Sequence, residues 1–441
     1  MGNLLSACRE KLVTCFGGNK NPAETTVVLP DVKHVAVIGG GLAGLICAYY
    51  CAKKGQHVEI FERRDTVGAG TAYGPAGVTM WKPVRRGLKF LGTVDPLAGG
   101  LGGLQDYVEG TAWQALDPDP RRPALMLEAR KAHAEFLKEN PDAKPIMHDE
   151  GLMYVLDEEL FKENQKLFKD DPSMIFFTKA EFEKSEWFCP LYEGCNYYGI
   201  LLSKEEGAID PHRFVQFLAK KVESMGGKIY VNTTVSRLDE IDTLGKVVVH
   251  PSVSTTKFDA AIVSVGAARH PGDLLEASGI EDPVDEIYGV KGYTVTGRMP
   301  PGFLKMGFVD AVDTKFIRPW TDKDGNFCIR AGSIADPFDP ADPLAINWDR
   351  LDEFKNNQFM KKVFDSVGDT RGVDADTVHD AVVEKGKLEV WTGIRPVNKH
   401  GRVPIFRWAN GTKRVLVVSG FGSNGYVMCW HTGPRVARLM G

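Results

Sequence analysis

The stretch His34 to Arg63, HVAVIGGGLAGLICAYYCAKKGQHVEIFER, constrains this chain more than any other part of it. An apolar run, Val35 to Ile38, reads as a buried parallel strand. It breaks at Gly39-x-Gly41-x-x-Gly44, continues as a helix to about Lys54, and returns as a strand from Val58 to Phe61, ending in Glu62. Gly39 permits the tight turn, Gly41 lets the backbone approach a pyrophosphate, and Gly44 lets helix and strand pack closely. The helix N-terminus, starting at Leu42 and Ala43, offers unpaired N–H groups and a positive dipole end to phosphates. Glu62, followed by Arg63, stands about 20 residues beyond the first glycine, the spacing at which a carboxylate meets a pair of ribose hydroxyls. A lone GxGxxG is a weak signal. With its strand before, helix after and acid at this distance, it specifies a dinucleotide-binding unit.

A chain of 441 residues is long for a single core and points to two domains. The net charge of −4 comes without basic tracts or aromatic-basic interleaving, so nucleic acid is not an expected partner. The eight cysteines form no CxxC pair and no His/Cys metal spacing, so neither a metal nor disulfides are expected, and a reducing, cytoplasmic compartment is. Cys47 and Cys51 lie at i and i+4 on the first helix, where small apolar residues pack against a sheet. The 18 uncharged residues from Val35 to Ala52 approach the length of a membrane span, but the glycines and the strand after them explain that run as strand plus helix. No transmembrane helix is expected. The N-terminus, Met1-Gly2-Asn3-Leu4-Leu5-Ser6, fits the pattern for myristoylation at Gly2. One acyl chain binds membranes only marginally, so Cys8, palmitoylated, is the expected second anchor to a membrane surface.

Residues 17–31 read as a linker. A second glycine-rich loop, Val67 to Gly77, follows the ribose-binding strand; Gly70 and Thr71 there are placed to offer backbone groups to the far end of an extended cofactor. A third cluster, Gly99 to Gly103, reads as a loop. From about Gln114 to Phe182 the chain is charged and helix-like, with Ala124 to Glu139 the clearest helix. Asp210-Pro211 caps a helix that stops at Gly226-Gly227. Phe258 to Ala267, including Gly266, reads as a buried strand ending in a small-residue turn. Alternating strands between Asp285 and Asp336 indicate an antiparallel sheet, a mostly helical segment follows from Ile346, and a closing helix ends the chain. The expected fold is α/β: a discontinuous Rossmann-type domain (residues 31–95, 200–270 and 385–441) carrying an inserted α+β substrate domain (96–199 and 271–384), after a leader of residues 1–30.

Four ordered blocks resemble the D-amino-acid oxidase superfamily of FAD-dependent oxidoreductases, particularly glycine oxidases and D-amino-acid dehydrogenases. They are Gly39 to Gly44 with Glu62; Gly207-Ala208-Ile209-Asp210-Pro211; Val290-Lys291-Gly292-Tyr293; and Trp391-Thr392-Gly393-Ile394-Arg395-Pro396. The closing Gly420-Phe421-Gly422-Ser423-Asn424-Gly425-Tyr426 is similar to the family's C-terminal flavin loop, with Phe421 where a histidine is usual. The resemblance, not spacing, selects FAD over NAD. It implies loss of hydride from an amine-bearing carbon to the flavin, hydrolysis of the resulting imine, and oxygen or a quinone as final acceptor. It also implies that Arg395 holds the substrate carboxylate, since a planar guanidinium donates two parallel hydrogen bonds, and that Tyr293 lines the pocket. Further flavin contacts are implied at Val235, Gly266, Gly420, Gly422, Ser423, Gly425 and Tyr426. Phe316, where related enzymes carry tyrosine, removes a hydroxyl from carboxylate binding, and Arg318 nearby is a group that compensates. Two other readings stay open: an NAD(P)H-dependent flavin reductase or monooxygenase, for which no second strand–GxGxxG–helix unit is found, and a membrane-tethered, non-catalytic FAD protein.

Overall fold

A computed structural model describes residues 27–86 (apart from 71, 73, 76 and 83), 122–252 (apart from 149 and 242–245), 255–265, 271–281, 287–332 (apart from 314 and 323), 344–366 (apart from 353–355), 388–398, 405–409, 414–422 and 425–441. The expected acylation sites Gly2 and Cys8, the third glycine cluster, and the expected cofactor contacts Thr71, Gly266 and Ser423 lie outside the described residues.

Strand β1 (His34–Ile38) leads through the glycine turn into helix α1 (Leu42–Lys53) and strand β2 (His57–Phe61). Helices α2 (Arg122–Glu139) and α3 (Pro211–Ser224) precede β3 (Lys228–Tyr230) and β4 (Ala260–Val263). Then come β5 (Ile287–Arg298), β6 (Lys315–Thr321), β7 (Phe327–Gly332), β8 (Leu388–Asn398), β9 (Ile405–Trp408), β10 (Val415–Ser419) and the closing helix α4 (Gly425–Leu439). The first sheet runs β9-β10-β4-β1-β2-β3, parallel except for the edge strand β9. Its central strand β1 is covered on both faces, which is why its sequence is apolar without alternation. Val35 and Val37 pack into a core shared with α1, α2, α3 and α4, while Ala36 and Ile38 pack against a small antiparallel sheet made of Val235–Ile241, Lys246–Pro251 and Thr256–Phe258. Helix α3 begins as its sequence requires: the Asp210 side chain accepts from the Arg213 N–H at 3.0 Å, with Pro211 in the first turn. Cys47, Cys51 and Cys429 are buried in this core, and burial pushes their thiols up, consistent with a packing role.

The second sheet has eight strands, in the order β8, β5, β7, β6, Phe308–Asp310, Leu152–Leu156, Gly199–Ser203 and Met174–Thr178. All pairings are antiparallel except that of Phe308–Asp310 with Leu152–Leu156. Leu152–Leu156 and Met174–Thr178 correct the helical reading of 114–182, of which α2 and two shorter helices, Glu158–Leu167 and Lys179–Phe182, are the helical part. The reason is burial on both faces: Met153 and Val155 enter one core, Leu152, Tyr154 and Leu156 another. A short unbroken apolar run carries no period that separates strand from buried helix. Within the stretch expected as substrate domain, α2 packs Leu125, Met126, Ala129 and Phe136 into the core of the parallel sheet. Within the last stretch expected as cofactor domain, β8 pairs with β5 at the edge of the eight-stranded sheet.

Candidate functional site

The C-terminal ends of β1, β2 and β10 converge on one cleft, where doubly wound sheets hold their ligands. Gly39 has φ of +105°, and a Cβ there would stand 2.2 Å from the Ser264 carbonyl oxygen on the turn after β4. A Cβ on Gly44 would stand 2.0 Å from the Gly39 carbonyl oxygen, so the contact of helix with strand requires its absence. Gly41 differs. It is the N-cap of α1, has no side-chain cap, and a Cβ there would meet nothing within 4 Å. Gly70 also faces open space. Bare backbone bordering a void ahead of a helix N-terminus is the geometry that receives a phosphate. Leu42 and Ala43 form the first turn of that helix.

Glu62 closes one side of the cradle. Its carboxylate accepts from the Gly40 N–H at 2.8 Å and the Arg64 N–H at 2.9 Å. Two bonds use half of what a carboxylate accepts, leaving room for hydroxyl donors. Arg63 is exposed. Val235 starts the small antiparallel sheet just after Thr233, whose N–H donates to the Glu62 carbonyl at 2.8 Å. At the opposite side Gly420 and Gly422, with φ of +78° and +54°, turn the chain from β10 into α4. Phe421 is buried among the helices rather than presenting a polar group. Gly425 starts α4 beside Leu42, which lies 3.7 Å from an added Cβ. The Tyr426 hydroxyl donates to the Ala72 carbonyl at 2.9 Å, tying α4 to the second glycine loop. Thus Gly39, Gly41, Leu42, Ala43, Gly44, Glu62, Gly70, Gly420, Gly422, Gly425 and Tyr426 are brought together, with Arg63 exposed beside Glu62.

The far wall is one face of the eight-stranded sheet. Register assigns it: Trp391 stands opposite Thr294, Thr294 opposite Gly332, and Gly332 opposite Phe316, while Arg395 stands opposite Val290. The Thr294 hydroxyl donates to the Gly74 carbonyl at 2.8 Å, so this face looks at the second glycine loop. Trp391 packs on Gly74 and folds back over Gly393. Arg395 lies across Gly292, with a guanidinium nitrogen 2.0 Å from where a Cβ would be. The K-G-Y of one strand and the G-I-R of the next therefore make a glycine-floored seat for an arginine. Alternation along β5 turns Tyr293 to the opposite face, where it is fully buried and its hydroxyl accepts from the Asn347 N–H at 3.2 Å. Tyr293 is a core residue of the outer layer and is not brought to Arg395.

The same inner face carries two arginines in direct cross-strand opposition, Arg318 on β6 and Arg330 on β7. Both are buried, at 3% and 5% exposure, and both stack on the Trp320 ring, 4.7 and 3.9 Å from its centroid. Arg330 donates through Nε to the Thr296 hydroxyl at 3.0 Å. None of the three Arg318 nitrogens has a hydrogen-bond partner among the described residues. Burial, and then the Arg330 charge, push the Arg318 guanidinium down to about 9, which leaves it cationic at neutral pH. Sequence reading reached Arg318 through its neighbour Phe316 but not Arg330, which only register brings beside it.

At the other end of the parallel sheet, far along β1 and β2 from the cradle, His34, His57 and Glu59 place ligand atoms within 4.8 Å of one another. Lys228 stands 3.8 Å from Glu59 and offsets that carboxylate. Among the described residues no helix is long and apolar enough to cross a membrane.

A family model described as FAD dependent oxidoreductase (DAO) matches residues 34–439. A D-amino acid dehydrogenase of Methylobacterium radiotolerans is 24% identical over 92% of this chain and 95% of its own. A D-amino-acid oxidase of Bradyrhizobium diazoefficiens is 24% identical over 93% and 96%. Among solved structures, glycine oxidase from Bacillus cereus superposes with a TM-score of 0.63 at 16% identity, covering 92% of this chain and 94% of that one.

Proposed function

The chain belongs to the FAD dependent oxidoreductase (DAO) family, and from that membership we propose that it oxidises the C–N bond of an amino acid or related amine. It is an FAD-dependent enzyme of that family. The residues fit the cofactor: Gly41 and Gly70 border open space, and Glu62 retains free acceptor capacity. FAD, when bound, supplies the two-electron acceptor for the hydride. In this reading Gly39, Gly41, Leu42, Ala43 and Gly44 hold the pyrophosphate and Glu62 the ribose. Gly70, Val235, Gly420, Gly422, Gly425 and Tyr426 line the remainder, and Thr71, Gly266 and Ser423 are the further contacts that the family resemblance implies.

One observation carries the substrate assignment. Arg395 is held over Gly292 on the face turned to the second glycine loop, where its fork meets a carboxylate and fixes which C–H bond faces the cleft. Exclusion of water falls to Trp391 and Phe316 on the same face. Anaerobic mixing of the yellow protein with single amino acids tests the proposal. Bleaching by an amino acid supports it, and bleaching by NADPH alone, with none by any amine, overturns it. The reading extends to oxygen or a quinone as final acceptor, and to anchoring on a membrane surface through acylated Gly2 and Cys8. Loss of membrane-fraction protein on Gly2→Ala is its check.

A further inference from the structure

We propose that Arg318, with Arg330 beside it, binds a second anionic group of the substrate, so that the preferred substrates are amino acids whose side chain ends in a carboxylate. The proposal rests on the amino-acid reading above and names its substrate class. Its first support is the Arg318 side chain itself: 3% exposed, with no hydrogen-bond partner on any nitrogen among the described residues. A buried guanidinium whose N–H groups make no hydrogen bond is costly unless an anion meets it.

Its second support is the neighbour. Like charges directly opposite on adjacent strands destabilise a sheet. Here they are placed opposite on an inner face, with Trp320 as a shared aromatic floor and the Thr296 hydroxyl accepting from Arg330 Nε. The Asp210 carboxylate favours the charged form of Arg318, and no Arg318 nitrogen hydrogen-bonds to it. Asp210 already serves as the cap of α3, and Tyr426 donates its hydroxyl proton to the Ala72 carbonyl.

Its third support is placement. Arg318 and Arg330 share a face with Arg395, and that face is the one hydrogen-bonded to the second glycine loop. Arg395 lies over Gly292, and the arginine pair stands in the row of Thr296, four residues further along β5. At about 3.3 Å per residue and about 4.8 Å per strand, Gly292 and the Arg318 backbone, two strands across, are roughly 16 Å apart before the Arg318 side chain reaches back. That separation favours glutamate and 2-aminoadipate over aspartate, and all three over alanine.

The test uses the FAD-saturated protein. Non-reactive glutarate and adipate are titrated against butyrate, following flavin absorbance and melting temperature; then kcat/KM is measured for alanine, aspartate, glutamate and 2-aminoadipate in both enantiomers. The expected results are at least tenfold tighter binding of the dicarboxylates than of butyrate. In Arg318→Met the ratio of kcat/KM for glutamate over alanine falls at least tenfold, and Arg318→Lys retains part of it. Equal binding of mono- and dicarboxylates overturns the proposal. So does an Arg318→Met protein that loses FAD or slows on every substrate alike, because the anion it meets is then the cofactor. If Arg318→Met does not fold, Arg318→Lys and the ligand titration decide. If no amine reduces the flavin, the amino-acid reading fails, while the dicarboxylate titration still reports on Arg318.

Discussion

Gly41 and Gly44 sit three positions apart in one turn, and a methyl group added to each is expected to fail differently. At Gly44 it meets the Gly39 carbonyl at 2.0 Å, so Gly44→Ala strains the backbone itself; we expect a loss of about 1–3 kcal/mol, seen as a lower melting temperature with or without FAD. At Gly41 it meets nothing, and the backbone φ of −76° suits alanine. Gly41→Ala should therefore melt like the wild type when stripped of cofactor, yet bind FAD at least tenfold more weakly by fluorescence titration. If Gly41→Ala binds FAD normally, the phosphate seat is elsewhere. Arg395→Ala should raise KM for the amino acid about 10- to 100-fold, the loss of one or two charge-assisted hydrogen bonds, with FAD content unchanged. Loss of flavin instead would assign Arg395 to the cofactor. These residues were legible because a glycine fingerprint and a G-I-R-P block carry their geometry in their spelling. Tyr293 was not, because K-G-Y-T names a strand without saying which face each residue takes. Only Gly74 beneath Thr294 settles that the even-numbered residues look inward.

Helix α2 was legible as an element but not as a neighbour. Its Ala, Leu and Glu content announces the helix, whereas nothing in it says that it packs on α1 and α4 rather than on the inserted layer. Local propensity fixes an element; tertiary burial chooses its partners. The same gap explains Leu152–Leu156, where two cores, not an alternating pattern, make a strand. One consequence is measurable. His133 of α2 is wedged between Trp81 and Trp430, with ring centroids 5.4 and 4.9 Å away. Burial, with a smaller push from Arg130, lowers its imidazole to about 4. The folded protein thus refuses a proton that the unfolded chain accepts below about pH 6.5, so stability is lost as pH falls from there toward 4. The loss approaches about 3 kcal/mol at the acid end. His133→Phe should flatten the melting temperature across that window, measured by calorimetry at several pH values. An unchanged acid slope would show that His133 takes no part in it.

The cleft is assembled by the whole molecule: the turn after β1, the loop after β2, the start of α3, the start of α4 and a face of the second sheet. A ligand bridging so many segments binds the folded state alone, so FAD at a hundredfold excess over its dissociation constant should add about 2.7 kcal/mol. Melting temperature should climb with FAD concentration, and its failure to do so would leave the cleft without its ligand. Which segments meet was legible where motifs carried it. That Arg318 and Arg330 meet was not, since strand register is a property of the finished sheet. Strand β1 is flanked by β2 nearby and by β4 at the other side, with His34 bonded to Asp259, 225 positions away. A polypeptide leaving the ribosome therefore displays its glycine fingerprint with one flank bare, and the closing helix arrives last. At roughly 5–20 residues per second, the 200 or so residues from β2 to the end of β4 take roughly 10–40 seconds to be made. Through that interval an apolar strand edge waits uncovered, so biogenesis of this enzyme is expected to lean on chaperones, and cofactor capture to await β10 and α4.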